Sequence, residues 1–288
     1  MTPFEMVEPT SLAEALSLLD PDEPTIRAIA GGTALMLMMK AGVFTPTRLI
    51  CLHRIEPEHA RIAVTHDGEL RIGAMATLSE VERDANVAAR LPVLRRALRT
   101  LSNPRVRNVA RVGGALAHGD PHMDLPPVLA VLGARVSIRG PAGDRELPLE
   151  QLYVGYYETV LEKNELITAV MVPPIDGRKA AYMKVTSRSA DDWPSLGVAV
   201  SFAMSAGAIR NPVVVISAAT EKVTRLTAAE AALNGAPIED APLDRAGEAA
   251  AATVTMLSDA HGSAAYKREL LRVYLRRAVR QAAQAGRQ

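Results

Sequence analysis

The chain holds a single cysteine, Cys51, among 288 residues. No disulfide can close within it, and no iron–sulfur cluster or cysteine-rich zinc centre can be built from it alone. Aromatic residues are scarce at 3%, with one tryptophan, which excludes the stacking platforms that hold single-stranded nucleic acid. Neither charge sign is in surplus: 33 Lys and Arg face 32 Asp and Glu, for a net +1. That balance gives no electrostatic reason for nucleic acid or an anionic membrane to be a partner. Apolar runs fall short of the roughly 20 residues needed to span a bilayer. The richest, "IAGGTALMLMMKAGV", opens on glycines and carries Lys40. The first twenty residues lack the basic start and apolar core of an export signal. With so little thiol, they point to the cytoplasm.

What is present is globular: 48% hydrophobic and 23% charged residues, on a chain long enough for two or three compact units. "EPTSLAEALSLLD" predicts a helix capped by Thr10 or Ser11, with Glu14 at the capping-box offset from Ser11. "TIRAIA" predicts a buried strand, "TALMLMMKAG" a helix and "RLICL" another strand. Two alternating runs around Asp67-Gly68 predict a hairpin, as does "ARVSIRGPAGDRELPLEQL", turning at Gly140–Gly143. Between them "LSEVERDANVAARLPVLRRALRTL" is helical, with Ser79 as its expected cap. "ELITAVMVP" is a strand ending at Pro173-Pro174, and with Asp176-Gly177 this marks a boundary. Three strands follow in "KAAYMKVTS", "LGVAVSFAMS" and "PVVVISAA", and two helical segments close the chain: "TAAEAALNG" and one opening on "SAAYKRELLRVYLRRA". The expected division is residues 1–57, 58–176 and 177–288.

Two glycine pairs interrupt this pattern. Gly31-Gly32 stands between strand and helix, and Gly113-Gly114 between two expected helices. Such pairs allow positive φ and close backbone approach. They serve either as tight turns or as nests of N–H groups for phosphate oxygens. Neither fits the dinucleotide fingerprint or the P-loop. After the second pair, His118, Asp120, His122 and Asp124 alternate. On a strand they would form a metal set, but Pro121, Pro126 and Pro127 argue against a paired strand, and no metal is expected. The other readings are an N-terminal cap by Asp120 or Asp124 for a helix with Pro126 in its first turn, or a polar pocket whose carboxylate takes ligand hydroxyls.

"AGGTALMLMMKAG" together with "NPRVRNVARVGGALAHGDPHMDLPPVLAVLGA" resembles the FAD-binding medium subunit of the molybdenum hydroxylases, the family of xanthine dehydrogenase and aerobic carbon monoxide dehydrogenase. The likeness extends over nearly the whole chain, through "ELITAVMVP" to "GSAAYKRELLRVYLRRA". It implies an α+β fold: a two-lobed FAD-binding domain of the PCMH type and a C-terminal domain of antiparallel sheet with helices. It also implies site residues. Ala30, Gly31, Gly32, Thr33, Ala34 and Leu35 would form one side of a pyrophosphate nest, and Val112, Gly113, Gly114 and Ala115 the other. Asp124 falls where the family places a carboxylate on ribityl or ribose hydroxyls, Thr77 at a further contact, and Ile167 near the ring system. Lys184 matches a lysine reaching toward the isoalloxazine carbonyls, and Trp193 is either an aromatic over the flavin ring or a domain-interface anchor. The chain departs from the family at Arg111, Ala115 and Ala34, where hydroxyl or amide side chains are usual. Arg111 is expected either to pair with a phosphate or to point away.

The resemblance implies a subunit that never touches the organic substrate. A large partner would carry molybdenum cofactor and a small partner two [2Fe–2S] clusters, as a dimer of heterotrimers. FAD on this chain would pass electrons to NAD, oxygen or a quinone, and no residue would act as nucleophile or general acid. Rival readings are a stand-alone flavin oxidoreductase and a flavin-free scaffold. The closing helix, with Arg268, Arg272, Arg276, Arg277 and Arg280, reads as a docking surface or as a solvated face over an apolar one.

Overall fold

The computed structural model describes residues 3–285. The first unit is a small parallel sheet with its connecting helices. β1 (Glu5–Val7), α1 (Leu12–Ser17), β2 (Ile26–Ile29), α2 (Leu35–Lys40) and β3 (Arg48–Cys51) follow in order, and the strands lie β1-β3-β2. Ser11 caps α1 by accepting the Glu14 N–H, as expected. The Glu14 carboxylate reaches back to the Thr10 N–H at 2.8 Å rather than to Ser11. Leu12, Ala15, Leu19, Ile50, Leu52 and Ile55 close the core of this unit.

The second unit begins with β4 (Ile62–Val64) and β5 (Leu70–Gly73), the hairpin that Asp67-Gly68 predicted. Six helices or turns follow: α3 (Leu78–Arg83), α4 (Ala85–Arg90), α5 (Pro92–Thr100), α6 (Pro104–Arg107), α7 (Val112–Ala117) and α8 (Leu125–Val131). Then come β6 (Arg135–Gly140) and β7 (Gly143–Pro148), the short pair β8 (Tyr153–Gly155) and β9 (Glu158–Thr159), and β10 (Leu166–Val172). β10 returns to the centre of a five-stranded antiparallel sheet, β4-β5-β10-β6-β7. The helices cover one face of it, with Leu78, Leu94, Leu98, Leu116 and Val128 in the core.

Asp176 and Gly177 both take positive φ, 35° and 73°, at the corner into the third unit. There β11 (Lys179–Val185), β12 (Leu196–Ser205), β13 (Ala208–Ser217) and β14 (Thr224–Arg225) form a meander in sequence order. α9 (Thr227–Leu233), α10 (Asp240–Thr253) and α11 (Ala264–Gln284) pack on one face around Phe202, Leu271 and Leu275. The other face of the sheet meets α8, with Ala199 and Val215 joining the core of the second unit.

Several expectations change. The helical stretch after residue 77 is three helices, because Asp84 caps α4 and Pro92 opens α5. Its cap is Thr77, not Ser79: Glu80 stands three residues after Thr77 and completes a capping box with it. Gly113-Gly114 lies within the first turn of α7, not between helices. Three helices close the chain instead of two, because α10 was not expected. α11 shows the solvated face over an apolar one: Leu271, Leu275 and Val279 are buried, Arg277 and Arg280 are exposed, and all of these arginines but Arg277 lean across to α10. Arg280, Arg276 and Arg272 pair with Asp240, Asp244 and Glu248 of α10, and Arg268 donates to the Ala251 carbonyl. The four-residue step of one helix matches that of the other.

Candidate functional site

The first glycine bend packs against the segment that leads into the second. A Cβ on Gly31 would lie 2.2 Å from the Val109 carbonyl oxygen and 2.8 Å from the Ala110 Cα, so only glycine lets these backbones touch. The second bend is fixed from its other side. A Cβ on Gly113 would lie 2.7 Å from the Ala74 Cβ, and the Gly113 N–H donates to the Ala74 carbonyl at 2.8 Å. The Val112 N–H donates to Ala76, and Leu78 donates to Ala110, so a bridge between Thr77 and Arg111 brings the starts of α3 and α7 together.

Gly114 is different. It has no positive φ, and a Cβ there would meet nothing within 4 Å. Neither packing nor backbone geometry asks for glycine at this position. Among the described residues the Gly114 N–H has no protein acceptor, nor do those of Gly32, Thr33, Ala34 and Leu35. The stretch Ala30–Leu35 is half-buried throughout. A run of undirected N–H groups over Gly32–Leu35, and the single free N–H of Gly114 beside an open space, suit a dianionic diphosphate. The residues present fit the phosphate-bearing part of a dinucleotide such as FAD.

Arg111 does not block this space. Its guanidinium donates to the Met75 carbonyl at 2.7 Å and stands 3.9 Å from Glu80. Thr77 is buried and its hydroxyl is engaged twice, donating to the Glu80 carboxylate and accepting the Glu80 N–H. Burial works against the Glu80 anion, but these Thr77 bonds outweigh it and hold the carboxyl below its ordinary range. Ala115 is half-buried behind Gly114. Ile167 is buried in β10 opposite Ile138. Its neighbour Thr168 accepts the Ala74 N–H, which sets this strand beside the second bend.

Asp124 and Lys184 come together where the second unit meets the third. Asp124 stands at the N-cap position of α8 but makes no capping bond. Its carboxylate takes the Lys184 ammonium at 2.9 Å and a short hydrogen bond from the Tyr182 hydroxyl, while Lys184 also donates to Thr100 at 2.9 Å. Burial pushes the Asp124 carboxyl upward, and the adjacent ammonium and phenol pull against it. Tyr182 was not among the expected site residues. It shares a strand face with Lys184 by the two-residue period of β11, a signal the sequence does carry.

The alternating histidines and aspartates do not converge as ligands. Asp120 bonds to His122, Asp124 to Lys184, and burial lowers the His118 pKa. His122 Nδ1 lies 3.0 Å from Asp120, and Nε2 lies 3.1 Å from Asp259. Asp259 in turn takes the fully buried Lys267 ammonium at 2.6 Å. Trp193, 53% exposed, stacks on the His122 ring with 5.5 Å between centroids and 16° between planes. Asp259 and Lys267 were missed because nothing local in the sequence pairs them with His122.

A glycine bend packed between a small α/β unit and a larger antiparallel one, with a third sheet beside them, is the architecture of a flavin-nucleotide-binding subunit. Comparison with known proteins identifies the family. Residues 2–175 match the FAD binding domain in molybdopterin dehydrogenase, and residues 181–282 match the CO dehydrogenase flavoprotein C-terminal domain. The chain belongs to this family of FAD-binding oxidoreductase subunits. It is 33% identical over 283 residues to the carbon monoxide dehydrogenase medium chain of Afipia carboxidovorans, covering 97% of this chain and 96% of that one. It is 32% identical to the nicotine 6-hydroxylase medium subunit of Paenarthrobacter nicotinovorans, covering 94% of each. Its fold matches that of carbon monoxide dehydrogenase from Hydrogenophaga pseudoflava with a TM-score of 0.93, at 34% identity and 98% coverage of both chains. No helix among the described residues is long and apolar enough to cross a membrane.

Proposed function

We propose that this chain is the electron-transfer subunit of a cytoplasmic heteromeric molybdenum hydroxylase. It takes electrons from [2Fe–2S] clusters of a small partner and delivers them to a terminal acceptor, NAD, oxygen or a quinone. A large partner carries the molybdenum cofactor, in a dimer of heterotrimers. The observation that supports the reading is the contact of Gly31 with the Val109–Ala110 backbone, which packs the loop carrying the free N–H groups of Gly32–Leu35 against the segment leading into Gly114.

When bound, FAD supplies both one- and two-electron redox chemistry, which joins single-electron carriers to a two-electron outlet. The protein supplies position and field. The N–H groups of Gly32–Leu35 and Gly114 hold the diphosphate, with Ala30, Gly31, Val112, Gly113 and Ala115 shaping the walls. Two of the three Lys184 N–H donors face Asp124 and Thr100, leaving one to meet a flavin carbonyl and stabilise negative charge on the reduced ring. The Asp124 carboxylate retains acceptor capacity for a ribityl or ribose hydroxyl. Thr77 acts through its cap, by fixing α3 beside Arg111, and Ile167 forms part of the apolar wall. Trp193 offers the ring system a flat aromatic face. The boundaries at 57/58 and 176/177 separate the two lobes of the nest and the sheet bearing Lys184.

The purified chain, reconstituted with FAD, is expected to show an absorption band near about 450 nm that dithionite bleaches. No band after reconstitution sinks the reading and leaves a scaffold. Turnover of an organic substrate by the chain alone favours a stand-alone oxidoreductase. Purification from the native source should bring molybdenum and iron in partner chains.

A further inference from the structure

His122 lies deep in the molecule, with its side chain 6% exposed and both ring nitrogens facing carboxylates. A neutral imidazole has one N–H and can donate to only one of them; the imidazolium donates to both. Burial alone would lower its pKa, but the hydrogen bonds it donates to Asp120 and Asp259 raise it above the ordinary 6.5. The segment is held from several sides. The Ala218 N–H donates to the Pro121 carbonyl at 2.7 Å, and Ser195, two residues after Trp193, donates to the His261 carbonyl at 2.7 Å. Trp193 sits in the exposed connection between β11 and β12, and its indole lies nearly parallel to the His122 ring. With His122 behind it and 53% of its surface exposed, the indole has an accessible side facing away from that histidine.

We propose that the His122 imidazolium is the positioning residue for Trp193: stacked behind the indole and locked between Asp120 and Asp259, it holds the outer aromatic face ready for the flavin ring system. The proposal rests on the reading of Trp193 as a flavin-facing residue. The attraction is that of a cation for the face of tryptophan, the strongest of the aromatic acceptors. When the proton leaves, the stack loses its charge and one of the two carboxylate bonds, and the connection is freed. The other charged and titratable groups around His122 are His118 on its own segment, Tyr157 beside His118 and Asp120, His261 with its centroid 5.4 Å away, and Lys267 through Asp259. Arg188, Asp191 and Asp192 share the connection with Trp193. Of the aromatic contacts, His261 makes the one rival: its ring is tilted by 58° to the indole at 6.2 Å.

Trp193 is the single tryptophan of the chain, so its emission reads this stack directly. An imidazolium quenches indole emission and a neutral imidazole does so far less. In the FAD-free full-length chain, emission and acrylamide accessibility are expected to rise together, emission by about twofold, as pH climbs through a midpoint above 6.5. His122→Gln, whose amide still bonds a carboxylate, should flatten the curve at its high-pH level, while His261→Gln keeps the midpoint. A flat wild-type curve overturns the proposal without any variant, as does a His122→Gln curve that still titrates. Added FAD gives the second readout. Its affinity should weaken about fivefold across the same midpoint, and His122→Gln should show the weaker value at every pH. An affinity indifferent to both overturns the positioning role while leaving the flavin reading intact. A chain that takes up no FAD at any pH overturns the flavin reading and the positioning role together, and the titrating emission then reports the stack alone.

Discussion

The glycine nest and the seam around Asp124 are built by opposite means. The nest is almost all backbone: its partners are carbonyls and N–H groups, and the side chains at Gly31 and Gly113 are absent because anything larger collides. The seam is almost all side chain, with Lys184 on Asp124, His122 between two carboxylates and Lys267 fully buried on Asp259. A backbone nest tolerates substitution wherever its Cβ positions point away, which is why Arg111 and Ala115 coexist with it. A buried charge depends on a particular partner and fails when that partner goes.

The largest effect that can break this comparison lies in the seam. Lys184→Met leaves Asp124 without its counter-ion, and urea unfolding should report a loss of about 3–5 kcal/mol. Adding Asp124→Asn should recover most of it; no recovery would mean Lys184 matters for something other than the pair. In the nest, Gly31→Ala should cost about 1–3 kcal/mol through overpacking against Val109, and FAD titration should show at least a roughly tenfold weaker complex. Gly114→Ala sharpens the contrast. Its methyl fits the folded chain and favours the helix by up to about 1 kcal/mol, so the melting temperature should rise while FAD affinity falls roughly tenfold. Unchanged affinity would remove Gly114 from the diphosphate site. The smallest effect belongs to the exposed ladder between α10 and α11: Arg276→Ala should cost only about 0.2–1 kcal/mol in denaturant titrations, and less in high salt.

The first glycine bend was legible in the sequence because its requirement is local: at Gly31-Gly32 a strand, two glycines and a helix follow one another within about a dozen residues. The hairpins at Asp67-Gly68 and Gly140–Gly143 were legible for the same reason, through their alternation and turn residues. Thr77 as a cap was also within reach, since Glu80 stands at the capping-box offset from it and not from Ser79. β1 was not, because three residues acquire meaning only by pairing with β3. α10 was obscured by Pro242 and Gly247. The glycine is there because the Arg272 backbone of α11 would come within 3.1 Å of a Cβ, a tertiary demand with no sequence trace. The seam was half legible. Its histidines and aspartates stood out, but Asp259 lies 137 residues from His122, and only the fold brings them together.

The corner at Asp176 and Gly177 has a consequence for the integrity of the molecule. It is the sole covalent crossing between the cofactor lobes and the last sheet, and it sits in a conformation that side chains other than glycine resist. A protease that nicks it would release no fragment under native conditions, because Lys184, Tyr182, Asp259 and the Ala218 N–H still clasp the other piece. The cut halves should migrate as one body and separate only when denaturant dissolves the clasp, so that one polypeptide behaves as an assembly of two.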